Sequence, residues 1–302
     1  MNKKNWCYKM RNAFEDFLDL ENIADLKTEE AVPLSIKKAV EQRRILWQDY
    51  KEQVMRLMQE WHNDASFLNK LRIEDDGRLI VRSNLAIENK DYFPALIKRV
   101  LGKLAVKRSS LPQVDFIEKV GSLILEDATI GSFSRLSSLQ YLNCRRVDIE
   151  SFPKLKQIRG KCFVSSSSVS FPALERAQGI DIKNSNVASF TNLLICEGNL
   201  RLKGVRGVEK FPYLKSVGKA LIISGESDMR YFPELEKIGE IFLLSGMEID
   251  DFRQAFPQLH TVGSSKGTFS QVSVKSAKVA RQIEKLVEKG ELTIPDDIFF
   301  SQ

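Results

Sequence analysis

The chain has 302 residues, 43% hydrophobic and 28% charged, and its 46 Lys+Arg exceed 40 Asp+Glu to give a formal net charge of +6. That profile belongs to a globular chain able to bury a core, of one or two domains, with a mixed-charge solvated surface rather than a dedicated polycation. No apolar run approaches the ~18 residues of a membrane-spanning helix, and the basic start Met1-Asn2-Lys3-Lys4-Asn5-Trp6-Cys7 leads into no apolar leader stretch, so a cytoplasmic location is expected.

Residues 1–66 read as helical. Met10, Phe14, Phe17 and Leu18 recur at helical spacing, and Leu20 and Ile23 continue the apolar side. Pro33 opens a second helix, in which Ile36, Val40, Ile45, Leu46, Tyr50, Val54, Leu57, Met58 and Trp61 form an apolar stripe between charged residues. This segment is expected to be an N-terminal cap, with a docking or dimerisation helix as the alternative.

From residue 67 to 267 the chain repeats. One phrase recurs as Phe152-Pro153-Lys154-Leu155, Phe171-Pro172-Ala173-Leu174, Phe190-Thr191-Asn192-Leu193, Phe211-Pro212-Tyr213-Leu214, Phe232-Pro233-Glu234-Leu235 and Phe256-Pro257-Gln258-Leu259. Successive Phe positions differ by 19, 19, 21, 21 and 24. After each phrase come an apolar residue, a glycine and a short strand, as in Val217, Gly218 and Leu221-Ile222-Ile223. Alternating residues such as Leu200 and Leu202 point inward, and Phe, Leu and Ile/Val pack beneath them. Pro after Phe starts the return as a turn, and the glycine is expected to let the backbone turn tightly into the strand. A single coil cannot bury its apolar face, so the coils must stack as a parallel ladder. Degraded copies around Phe93, Leu111 and Phe133 raise the expectation to roughly nine coils.

These phrases resemble the leucine-rich repeat superfamily, most closely irregular bacterial repeats of the form F/L-P-x-L-x-x-I/V-G-x-L-x-L. The resemblance covers roughly residues 70–270. It implies an α/β solenoid, a leucine-rich-repeat-like parallel β ladder with irregular or short-helical returns. It also implies protein binding rather than catalysis. Most coils carry Ser, Lys or Gly where the common form has Asn or Cys after the strand.

Residues between the inward pairs face out onto the ladder, the usual binding surface of a solenoid. Arg145, Lys161, Lys183, Arg201 and Lys203 make a basic column, and Phe163, Ile222, Phe242 and Leu244 are expected as apolar anchors beside it. Residues 268–302 read as a last strand up to Val274, a helix from Ser276 to Glu288 stopped by Gly290, and an apolar tail, Ile298-Phe299-Phe300.

No catalytic constellation is visible. Cys7, Cys144, Cys162 and Cys196 form no C-x-x-C pair, and Cys144 and Cys196 fall on inward positions. His62 and His260 fit surface or packing roles, and no phosphate loop, nucleophile elbow or HExxH occurs. No cofactor and no metal is expected. The reading is a non-enzymatic scaffold that binds a protein through the ladder. The alternative is a nucleic-acid-associated accessory subunit of a nucleoprotein complex using the basic column.

Overall fold

The structure is a computed structural model that describes residues 34–62, 65–74, 77–187, 189–207, 210–227, 231–245, 249–263 and 271–294. The chain divides into two compact units, residues 1–79 and 80–302. The helix expected around Met10 to Ile23, together with Cys7, lies outside the described residues.

In the first unit, α1 (Leu34–His62) is followed by α2 (Ala65–Leu68) and the strand Leu71–Ile73. Val54, Met58 and Trp61 are the buried side of α1, at the i, i+4, i+7 spacing of one helix face. Trp47 and Tyr50 stack with ring centroids 5.4 Å apart, and the Tyr50 hydroxyl donates to the carbonyl of Gly77 at 2.9 Å. Phe67 is buried against Trp61 and His62, at 6.2 and 4.3 Å between centroids.

The second unit is a parallel β-solenoid of about eight turns. Its long arm carries the strands Leu85–Glu88, Ile97–Lys107, Lys119–Ile130, Tyr141–Ile149, Gln157–Ser165, Arg176–Val187, Leu200–Arg206, Ala220–Ser224, Ile241–Leu244 and Gln271–Val274, each paired in parallel with the next. The register puts two inward columns in line. One runs Leu85, Leu104, Leu123, Leu142, Cys162, Ile180, Leu200, Leu221, Phe242, Val272. The other runs Ile87, Val106, Leu125, Cys144, Val164, Ile182, Leu202, Ile223, Leu244, Val274, and no member of either column is more than 4% exposed.

A shorter arm precedes the long one. There Leu139, Ile158, Ala177, Cys196, Val217, Ile238 and Val262 form a further buried column. The long arm ends at a corner made by one residue in left-handed conformation. Asn89, Arg108, Asp127, Arg146, Ser166 and Asn184 hold φ between 45° and 54° there, and Gly204 and Gly225 take the same place in later coils. Such a φ costs a side chain roughly 1–2 kcal/mol and glycine nothing comparable. Two of these corner residues recover part of that cost from each other: Arg146 donates through Nη2 to Asp127 at 2.9 Å, and this hydrogen bond holds the Asp127 carboxyl below its ordinary range.

Beyond the corner the chain continues as a third arm, which turns Ile130, Ile149, Val169 and Val187 inward. Buried serines stitch its start. The hydroxyls of Ser109, Ser167 and Ser185 donate to Lys107, Ser165 and Lys183 carbonyls at 2.7–2.8 Å, and accept the N–H groups of Lys90, Val147 and Ser167.

The Phe-x-x-Leu phrase closes these coils as a β-turn; where Pro follows Phe it holds the second position, which its fixed φ near −65° fits. Leu155, Leu174, Leu193, Leu235 and Leu259 N–H groups donate back to the Phe carbonyls at 3.2–3.4 Å. The rings stack into one file, Phe133, Phe152, Phe171, Phe190, Phe211, Phe232 and Phe256, with centroids 5.1–5.5 Å apart.

The glycines before the long arm have a different reason from the expected one. Gly121, Gly160, Gly198, Gly218 and Gly239 do not adopt positive φ; a Cβ on any of them would come within 3.0 Å of a carbonyl oxygen of the preceding coil. They are required for the close approach of successive coils, not for turning.

At the C-terminal end, α3 (Phe252–Ala255) forms the return of the last coil, capped by Asp251, whose carboxylate accepts from the Arg253 and Gln254 N–H groups. After Gln271–Val274 comes α4 (Ala277–Glu288), capped by the Ser276 hydroxyl and followed by Gly290 at φ +71°. Val279, Ala280, Ile283 and Leu286 are its buried side, and Gln282 holds the Phe252 N–H at 2.8 Å. Thr293 then pairs in parallel with Thr261, adding one more rung to the short arm. The apolar tail Ile298-Phe299-Phe300 lies outside the described residues. Among the described residues no helix is long and apolar enough to cross a membrane.

Candidate functional site

The long arm presents two outward columns whose register is continuous. The first runs Ala86, Ala105, Ile124, Asn143, Phe163, Asp181, Arg201, Ile222, Leu243, Ser273. The second runs Glu88, Lys107, Glu126, Arg145, Ser165, Lys183, Lys203, Ser224.

Charge divides this second column. Over its first rungs opposite charges alternate, and Lys107 meets Glu126 at 3.1 Å. The short arm and its flanks are likewise laced, with Lys156 on Glu175 at 3.0 Å and Glu118 between Arg99 and Arg135 at 3.6 Å each. From Arg145 onward the alternation stops. Arg145, Arg201 and Lys203 are exposed, and no carboxylate among the described residues lies within 4.0 Å of them.

Phe163 is half-buried at the centre of the basic stretch, on the outward side, between the inward Cys162 and Val164. The ammonium groups of Lys161 and Lys183 stand 5.9 and 5.5 Å from its ring centroid. Both also reach one oxygen of Asp181, at 3.6 and 3.7 Å. Asp181 occupies an outward position, yet its side chain is only 5% exposed. Its second oxygen, Oδ1, is buried without a hydrogen-bond partner among the described residues, as is Oδ1 of Asn143 on the other side of Phe163. A buried carboxylate is held in place by paired cations, so Asp181 gathers the two lysines over the ring. Sequence reasoning places Asp181 on the outward face without assigning it to the site. Only Lys183, two residues on, is a local signal for it; its rung neighbour Phe163 lies on the coil before and is brought there by the register.

Ile222 faces outward, half-buried. Phe242 and Leu244 do not: they are 1% and 4% exposed and belong to the inward columns. The expectation that they are ladder anchors is therefore corrected. Leu221 pairs with Phe242 and Ile223 with Leu244, so the outward residues of that coil are Ile241 and Leu243, both half-buried. In the Gly198 coil the first inward residue is the second after the glycine, Leu200; after Gly218 and Gly239 it is the third, Leu221 and Phe242. Four apolar residues in a row, Ile241 to Leu244, hide that one-residue slip, which exchanges the two faces.

The remaining candidates for chemistry are packed or exposed singly. His62 stacks on Phe67. His260 is exposed, with Nδ1 3.0 Å from the Gln258 carbonyl. Among the described residues no group of three His, Cys, Asp or Glu could hold a metal ion. Cys144, Cys162 and Cys196 are buried free thiols, and desolvation pushes all three up, Cys196 to about 12. In a Cys7→Ser variant the folded protein is therefore expected to give no thiol reaction with an aromatic disulfide reagent at pH 8, and all three thiols after unfolding. Unfolded thiols ionise before the folded ones, so these cysteines withdraw stability as pH rises from about 9 toward 12. Rapid reaction of the native protein would show that the core columns open.

Searches for likeness find no protein-family model that matches the chain, and no curated protein or solved structure that does.

Proposed function

We propose that this protein is a non-enzymatic interaction scaffold, built of leucine-rich-repeat-like coils, that binds a protein partner through the outward face of its long arm. One observation carries the reading. Along the second outward column the alternation of charge stops at Arg145; Arg145, Arg201 and Lys203 meet no carboxylate within 4.0 Å among the described residues, and half-buried Ile222 and Leu243 continue the column from Arg201. Unbalanced cations beside apolar side chains fit a partner segment that is acidic at one end and apolar at the other. Among the described residues the other candidate chemistry shows no comparable clustering.

The test is charge reversal where folding is least disturbed. Arg201→Glu/Lys203→Glu, and separately Ile222→Asp, are compared with wild type in affinity capture from native lysate, with and without nuclease. Proteins lost in both variants are purified and titrated. A drop of at least tenfold in affinity, about 1.4 kcal/mol, is expected for each variant. A set of captured proteins unchanged by both variants would sink the reading. Capture that needs intact nucleic acid, with affinity falling steeply with salt, would put a nucleic-acid accessory role in its place.

A further inference from the structure

Within this surface, and resting on the scaffold reading for its partner, the geometry points to a cradle for a phosphomonoester centred on Ser165. We infer that the partner segment is phosphorylated, and that its phosphate sits between Arg145 and Lys183 with Lys161 alongside.

Ser165 is the one small, uncharged rung in the basic part of its column, with Arg145 paired on one side and Lys183 on the other. Rungs of a parallel ladder are about 4.8 Å apart, so the two cationic side chains start roughly 10 Å from each other. That span accommodates a phosphate with a charge-assisted hydrogen bond of about 2.8 Å on either side. The Ser165 side chain is half-buried and leaves the gap open.

The cations are already gathered. Asp181 draws the Lys161 and Lys183 ammonium groups to one oxygen, and both stand over the Phe163 ring. Like charges brought together usually disfavour the unliganded state; here the carboxylate beneath and the ring face offset that repulsion. The carboxylate is withdrawn from solvent, so the cradle shows the partner cations only. Arg145, Lys161 and Lys183 less Asp181 leave a net charge of +2. A phosphomonoester carries about −1.5 to −2 at pH 7, whereas a single carboxylate carries −1. Charge balance therefore favours the phosphate over an acidic side chain. Arg146, the next basic residue, is committed to Asp127 and Glu126, so toward the earlier coils the open charge ends at Arg145.

The experiment titrates the full chain, by calorimetry in low salt, with capped Ala-Ala-phosphoSer-Ala-Ala, the same peptide with Glu, the same with Ser, and a single-stranded oligonucleotide of matched charge. The phosphopeptide is expected to bind at least tenfold tighter than the Glu peptide. Ser165→Asp, which puts a carboxylate in the gap, and Arg145→Gln should each lower that affinity tenfold or more, and Lys119→Gln, exposed on the short arm, should leave it unchanged. Equal binding of phospho and Glu peptides, insensitivity to Ser165→Asp and Arg145→Gln, or tight binding of the oligonucleotide alone would each overturn the inference. Failure here with partner capture still lost in Arg201→Glu/Lys203→Glu removes the cradle and keeps the scaffold; phosphopeptide binding with capture unaffected does the reverse.

Discussion

Phe171→Ala is expected to lose about 3–5 kcal/mol of unfolding free energy, while Phe163→Ala, eight residues earlier, should lose less than about 1 kcal/mol. The two rings differ in what surrounds them. Phe171 is fully buried and stacks between Phe152 and Phe190, at 5.4 and 5.3 Å between centroids. Removing it opens a cavity lined by backbone that the parallel ladder holds fixed, so the walls cannot collapse inward, and it takes away ring contacts on both sides. Phe163 stands on the outward face with lysines over it, and water fills the place it leaves. Urea denaturation followed by circular dichroism measures both. Coils bond only to their neighbours, so the Phe171→Ala transition should also broaden, as the array separates at the weakened coil. Equal effects at the two positions would mean that the inward and outward columns are misassigned.

A second pair of variants should give effects of opposite sign from one chemical change. Gly239→Ala is expected to destabilise by about 2–4 kcal/mol, because its Cβ would run into the carbonyl oxygen of Gly218 in the coil before. That oxygen is backbone within a ladder and has nowhere to move. At Gly179 the nearest atom to a new Cβ is the Asn199 carbonyl oxygen, at an ordinary 3.6 Å, and φ is not positive. Gly179→Ala should therefore be neutral or stabilise by up to about 1 kcal/mol, through the lower entropy of the unfolded chain. Thermal unfolding of both variants decides it. A harmless Gly239→Ala would mean that coils can part by more than an ångström without loss, against the close stacking of the ladder.

The architecture was legible because its period survives in single letters. Phe-x-x-Leu, with Pro after Phe in all but the Phe190 coil, and the following glycine mark every coil from Phe152 on, and the inward pairs from Leu104 to Ile223 follow from alternation. The site was legible only in part. Arg145, Lys161, Lys183, Arg201 and Lys203 can be read as outward because polar residues flank apolar ones. Phe242 and Leu244 could not be placed, since in Ile241 to Leu244 every residue is apolar and alternation carries no information. Asp181 could be read as outward but not as buried: its cover comes from lysines on two different coils, a relation between rungs that a linear pattern does not display. The left-handed corner escaped for a related reason. Arg108 and Arg146 lack the composition of a turn, yet both take that left-handed φ where their coils stack.

The pairing of each coil with only the coils before and after it has a mechanical consequence. Tension applied along the solenoid axis meets the rungs in succession rather than together, because the inter-coil hydrogen bonds lie along that axis and an end coil can leave without disturbing the middle. Each departure frees roughly 20 residues of chain, or about 65–70 Å of slack at full extension. A partner anchored on the ladder would then act as a clasp across several rungs, and the scaffold would yield from its ends while the stretch under the partner stayed closed.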